Sequence, residues 1–226
     1  MRSEIGDRDR WVEQIQTALA AQTDRSTASL RQVRRSFNMR LKDAEPELVL
    51  DVALMLIALG PWVYRWFAYE LIHFHRPTLR RLDVALLEQL GAGMDDWPAT
   101  DTFAPYLAGV AWREGQIGDE VIHRWARSEN RWWRRAALVS TVALNIKARG
   151  GAGDTPRTLA VCEMLVDDRD DMVVKALSWA LRALVPWDAE AVRAFLQGHE
   201  EVLAARVKRE VHNKLKTGLK NPRKNL

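Results

Sequence analysis

A helical period runs through almost the whole chain, and it limits the fold more than any other feature. Apolar residues recur at i, i+3, i+4 and i+7 in WVEQIQTALA (11–20), ELVLDVALMLIAL (47–59), WVYRWFAYELIHF (62–74) and LRRLDVALLEQL (79–90). The same pattern marks DTFAPYLAGVAW (101–112), GDEVIHRWARS (118–128), RWWRRAALVSTVALNI (131–146) and TPRTLAVCEMLV (155–166). It continues through DMVVKALSWALRAL (171–184), DAEAVRAFL (188–196) and EEVLAARVKREVHNKL (200–215). Glycine and proline fall mostly between these windows. No stretch alternates apolar and polar residues between hairpin-turn signals. The expectation is an all-α chain of about eleven or twelve helices.

The windows also repeat. Overlaying 131–139 on 171–179 sets Ala136 on Ala176 and Arg135 on Lys175, an offset of 40 residues (176 − 136). Ala68 lies 68 residues before Ala136, two steps of 34, and Glu210 lies 34 after Ala176. Two helices per repeat, a loose period of 34–40 and small residues at helix contacts describe a HEAT-like α-α solenoid rather than a plain bundle. The glycine-rich stretch from Ala148 to Pro156 reads as one long inter-repeat loop, not a domain boundary. Residues 1–226 are therefore expected to form one repeat domain, with a helical N-terminal portion over 1–45 and a basic tail over 216–226.

The charge balance is mild, 34 Lys and Arg against 30 Asp and Glu, so the location of the charge matters more than its sum. Residues 25–42 carry Arg25, Arg31, Arg34, Arg35, Arg40 and Lys42. Residues 124–135 carry Arg124, Arg127, Arg131, Arg134 and Arg135 against Glu129. Residues 206–226 carry Arg206, Lys208, Arg209, Lys214, Lys216, Lys220, Arg223 and Lys224 against Glu210. In a solenoid such segments can share a concave wall, and a basic wall suits a duplex backbone. The plainer reading makes them solvated helix faces and a loose tail. A single cysteine, Cys162, excludes a disulfide framework and a cysteine-based zinc cluster. The charged opening MRSEIGDRDRW is not a signal peptide, and the longest apolar stretch, Val52 to Val63, is too short to span a bilayer. A soluble, cytoplasmic protein is expected.

Most catalytic signatures are missing. GGAGD lacks the spacing and the lysine of a phosphate loop. His73 and His75 are two apart and point to different sides of a helix, and no HExxH occurs. Ser128 has no histidine partner in a triad-like motif. No metal or cofactor is expected. Tryptophan, by contrast, is abundant: ten residues, against eight Phe and Tyr together (5 + 3). Packing accounts for most of them, including Trp112, Trp125, Trp132 and Trp133. It accounts least well for Trp97 in MDDWPATDTF (94–103). A helix starting there, with Pro98 in its first turn, sets Trp97 and Asp101 on one side. A carboxylate beside an aromatic face suits a cationic species, although an acid favouring the helix dipole is the plainer reading.

DDWPATD, then WARSENRWWRRAALV, then VKALSWALR, in that order, resembles the bacterial DNA alkylation repair glycosylases of the AlkD type, over roughly residues 45 to 215. That resemblance implies HEAT-like repeats and a DNA N-glycosylase that excises cationic N3- and N7-alkylated purines from double-stranded DNA, without metal or cofactor. It implies that Trp97 and Trp179 pack against the lesion's deoxyribose and that Asp101 is the catalytic carboxylate. Arg182 follows Trp179, and Arg134 or Arg135 would contact the DNA backbone. A monomer is the default for such an enzyme. Two other readings stay open: a non-catalytic HEAT-repeat scaffold for bent or branched DNA, and a protein-interaction module whose tryptophans bury a partner helix.

Overall fold

A computed structural model describes residues 2–24 and 26–222. Arg25, Arg223 and Lys224 of the basic segments lie outside the described residues. Every regular element among those described is helical. The chain divides into two compact units, Met1–Ala92 and Gly93–Leu226.

The first unit holds α1 (Arg2–Ala20), α2 (Thr27–Arg40), α3 (Pro46–Ala58), α4 (Trp62–Phe74), α5 (Arg76–Leu79) and α6 (Val84–Gly91). α3 and α4 form a hairpin, with α1 packed on α3 and α2 on α4. Its core joins Ile15, Leu56 and Phe67, and Phe37 makes edge-to-face contacts with Trp11 and Phe67. The basic run of α2 is partly used up inside this unit. The Nε groups of Arg31 and Arg34 each donate to one oxygen of buried Glu70, both at 3.1 Å. Arg34 also lies over the Phe74 ring at 3.9 Å. Such burial of a charge is sustainable only with a paired partner.

The second unit holds α7 (Trp97–Phe103), a π-helical turn (Ala104–Ala108), α8 (Gly109–Arg113), α9 (Asp119–Ala126), α10 (Arg131–Ser140) and α11 (Val142–Asn145). A 3-10 turn (Lys147–Arg149) leads to α12 (Thr155–Met164), α13 (Asp171–Leu184), α14 (Ala189–Gly198) and α15 (Ala205–Thr217). α9 with α10 and α12 with α13 are helix pairs, and α7, α10, α13 and α15 pack side by side in chain order. Paired helices stacked in series are the arrangement of a helical-repeat solenoid. Ala136 and Ala176, matched by the sequence overlay, are both fully buried on the facing helices α10 and α13.

The helix boundaries follow the caps. Carboxylates of Asp83, Asp96, Asp154, Asp170 and Asp188 each accept a backbone N–H in the first turn of the helix that follows. The Asp83 cap is why the window 79–90 is not one helix: α5 ends at Leu79 and α6 starts at Val84. The window 101–112 is divided by the π turn, and in 200–215 the helix starts only at Ala205.

Candidate active site

The site is built entirely in the second unit, from α7, α10 and α13. Asp96 starts α7 by accepting the Ala99 N–H at 2.8 Å, and Pro98 occupies the first turn, where its missing N–H costs nothing. The dipole reading therefore belongs to Asp96. Asp101 sits one turn into the helix on the side of Trp97. Trp97 is 57% exposed, in contrast to Trp112, Trp125 and Trp132, which the core encloses. The indole N–H of Trp112 donates to Asp119 at 2.7 Å, and Trp133 packs on Trp125 and Phe103.

α10 brings Arg135 to Asp101. Its Nε donates to Oδ1 at 2.9 Å and its Nη2 to Oδ2 at 2.7 Å, the parallel geometry in which guanidinium binds carboxylate most strongly. Its Nη1 donates to the Met172 carbonyl on α13, so one buried side chain ties three helices together. Burial pushes the Asp101 carboxyl above its ordinary value, and the negative charge of Asp96 adds to that. The hydrogen bonds and charge of Arg135 pull the other way. The arrangement is a partly desolvated carboxylate with one face toward a cleft.

That cleft, about 410 Å³, is bordered by Trp97, Asp101, Arg135, Lys175, Trp179 and Arg182. Trp97 on α7 and Trp179 on α13 both border it, as does Asp101. The Arg182 Nε donates to Ser178 Oγ at 3.1 Å and lies 3.9 Å from Glu210. Burial lowers its proton affinity, and the charge of Glu210 opposes that. Arg134 turns elsewhere: it donates to Asp168 at 2.7 Å and to the carbonyls of Ser128 and Glu129.

Two residues that border this cleft, and a third that pairs with its cations, were not singled out from the sequence as site residues. Lys175 borders it one repeat after Arg135, and the overlay of the two helices carried that signal. Lys220 reaches it from beyond α15, which no motif announced. Glu210, the lone acid of the basic C-terminal segment, is buried. It accepts from Ser178 Oγ at 2.7 Å and stands within 4 Å of Arg182, Arg206 and Lys220.

Among the described residues no group of three His, Cys, Asp or Glu side chains could hold a metal ion, and no helix is long and apolar enough to cross a membrane. A family model described as DNA alkylation repair enzyme matches residues 18–215, reaching further toward the N-terminus than the motif resemblance. No curated protein and no solved structure gives a match to the chain.

Proposed function

From the chain's membership of the DNA alkylation repair enzyme family, we propose that it is a DNA N-glycosylase removing cationic N3- and N7-alkylated purines from duplex DNA. The observation that carries this reading is Asp101: a carboxylate on an open cleft that Trp97 and Trp179 also border, held by two hydrogen bonds from Arg135.

An alkylated purine already bears positive charge, so its departure needs no general acid. The C1′–N bond breaks and its electron pair moves onto the base, neutralising it. The deoxyribose becomes oxocarbenium-like, and Asp101 stabilises that charge where the two indoles displace water. Water then adds to C1′, and Asp101 accepts the proton it sheds. Trp97 and Trp179 hold the sugar against the carboxylate. Among the arginines, Arg182 is the favoured backbone contact. Arg134 and Arg135 commit most of their donors to Asp168, Asp101 and backbone carbonyls, and enter that role only through their remaining N–H groups.

The test is release of 7-methylguanine and 3-methyladenine from methylated duplex DNA in EDTA, wild type against Asp101→Asn. The expected result is release that persists in EDTA and falls at least about 100-fold in the variant. Salt-sensitive DNA binding with no release by either protein would support the non-catalytic scaffold instead.

A further inference from the structure

Next to the cleft lies a second bay of about 590 Å³, also wholly within the second unit, with Trp179, Arg182 and Lys220 on its shared rim. Trp187, Lys147 and Lys214 complete its wall. None of these last three is used by the chemistry at Asp101.

Trp187 is mounted as a platform. Its indole N–H donates to the Asn145 carbonyl, and its own backbone N–H to Leu184 O at 2.8 Å. Asn145 is itself locked, donating to Thr141 O at 3.0 Å and to Thr158 Oγ1 at 2.8 Å while accepting the Asp154 N–H at 3.1 Å. Gly153, at φ +86°, packs so tightly on the indole that a Cβ there would stand 2.8 Å from Cδ2. The ring is thus fixed at its edge and backed by main chain, yet the residue is 42% exposed.

Around this platform stand Lys147 in the 3-10 turn, Lys214 at the end of α15, Arg182 and Lys220. Lys214 donates to Gly218 O at 2.7 Å, and Lys220 lies 3.5 Å from Glu210, so both side chains that border the bay have fixed places on its wall. A fixed aromatic face ringed by cations matches a planar base joined to a phosphate. We propose that this bay binds an unpaired nucleotide of the DNA, its base stacked on Trp187 and its phosphates between Lys147 and Lys214. The site would hold a strand locally opened beside the lesion. Its place next to a lesion rests on the glycosylase reading, but its chemistry does not.

The experiment compares two duplexes of one sequence, one fully paired and one with a single bulged 2-aminopurine. Affinity at fixed salt and 2-aminopurine emission are read with the full chain. Wild type should prefer the bulged duplex by about 10-fold and quench its emission, the size of one base–indole stack. Trp187→Ala should abolish both effects while affinity for the paired duplex holds, and Trp187→Phe should retain part of each. If Trp187→Ala lowers Tm, the decision passes to Lys147→Glu on the exposed turn, which should weaken bulge binding at unchanged Tm. Equal affinity for the two duplexes, emission that stays bright, or a preference that survives Trp187→Ala and Lys147→Glu would overturn the proposal. Base release by wild type is measured alongside. Release without bulge preference removes the bay alone, whereas bulge preference without release removes the glycosylase reading and leaves the nucleotide site standing.

Discussion

Asp101 and Arg135 are 34 residues apart in the chain and joined by two parallel hydrogen bonds of 2.9 and 2.7 Å. The spacing recurs. Arg134 reaches Asp168 across 34 residues, Arg34 reaches Glu70 across 36, and Ser178 reaches Glu210 across 32. One repeat supplies an acid and the next or previous one supplies its partner. The polar groups beneath the apolar seams are thus in register with the repeats, and Asp101 is aimed by the repeat that follows its own.

Removing Arg135 should change how activity depends on pH. Arg135 is the influence lowering the Asp101 proton affinity, while burial and Asp96 raise it. In Arg135→Gln the raising influences act alone, so the acid limb of base release should move to higher pH. The loss would be greatest in mildly acidic buffer and smallest at alkaline pH. In the wild type, the folded protein holds this proton more tightly than the unfolded chain. Ionising Asp101 therefore opposes folding at neutral pH, and that cost shrinks as pH falls below the folded value and is gone below the unfolded one. A parallel loss of activity at every pH would contradict this account of Arg135.

Trp97 and Trp112 should separate function from stability. Trp97→Ala removes a mostly exposed ring, so urea unfolding should change by no more than about 0.5 kcal/mol while base release falls sharply. Trp112→Ala empties a fully buried position and removes the hydrogen bond to exposed Asp119, the cavity costing about 3–5 kcal/mol. Comparable destabilisation by both would mean that Trp97 is a packing residue.

Glu210→Ala should lower stability by about 3 kcal/mol, because Ser178 and Arg182 would lose a buried acceptor and counter-charge together. Glu210→Gln keeps an acceptor for Ser178 and should lose less. Chemical denaturation of the pair measures the difference, and equal losses would assign the effect to charge alone.

Gly109→Ala tests the closeness of α8 to the α10–α11 segment. A Cβ at 109 would stand 2.4 Å from Ser140 O and 2.7 Å from Ala143 Cβ, both in the packed interior. The helices must move apart, at a cost of about 1–3 kcal/mol in thermal or urea unfolding. A neutral substitution would show that the contact has room to relax.

The helical class, the equivalence of α10 and α13 as repeat positions and the start of α7 were legible because they rest on local signals: period, small residues and Pro98. The same locality limited the rest. Breaks at Asp83 and in the π turn fall inside windows whose apolar spacing continues across them, so periodicity alone joined the pieces. The α2 segment was legible as helical and basic, but not as the source of two arginines that serve buried Glu70. At the site, Trp97 and Asp101 shared a turn and were visible together. The grip of Arg135 on Asp101, the hub at Glu210 and the bay beside Trp187 are meetings of distant segments. No spacing within one helix encodes them.

The π turn has a consequence for the helix that carries Asp101. The Gly109 N–H donates to Ala104 O, five residues back, so this turn holds one residue more than the α pitch would. Deleting a single residue there would rewind the turn and swing α8 about 100° against α7. Trp97 and Asp101 would keep their orientation, while Trp112 would leave Asp119 and Arg113 would leave the Ala143 and Arg149 carbonyls. The extra residue acts as a phase adjuster within one nearly continuous helix. It lets the front half be oriented for the cleft and the back half for the core, so that a change in one need not be transmitted as a rotation of the other.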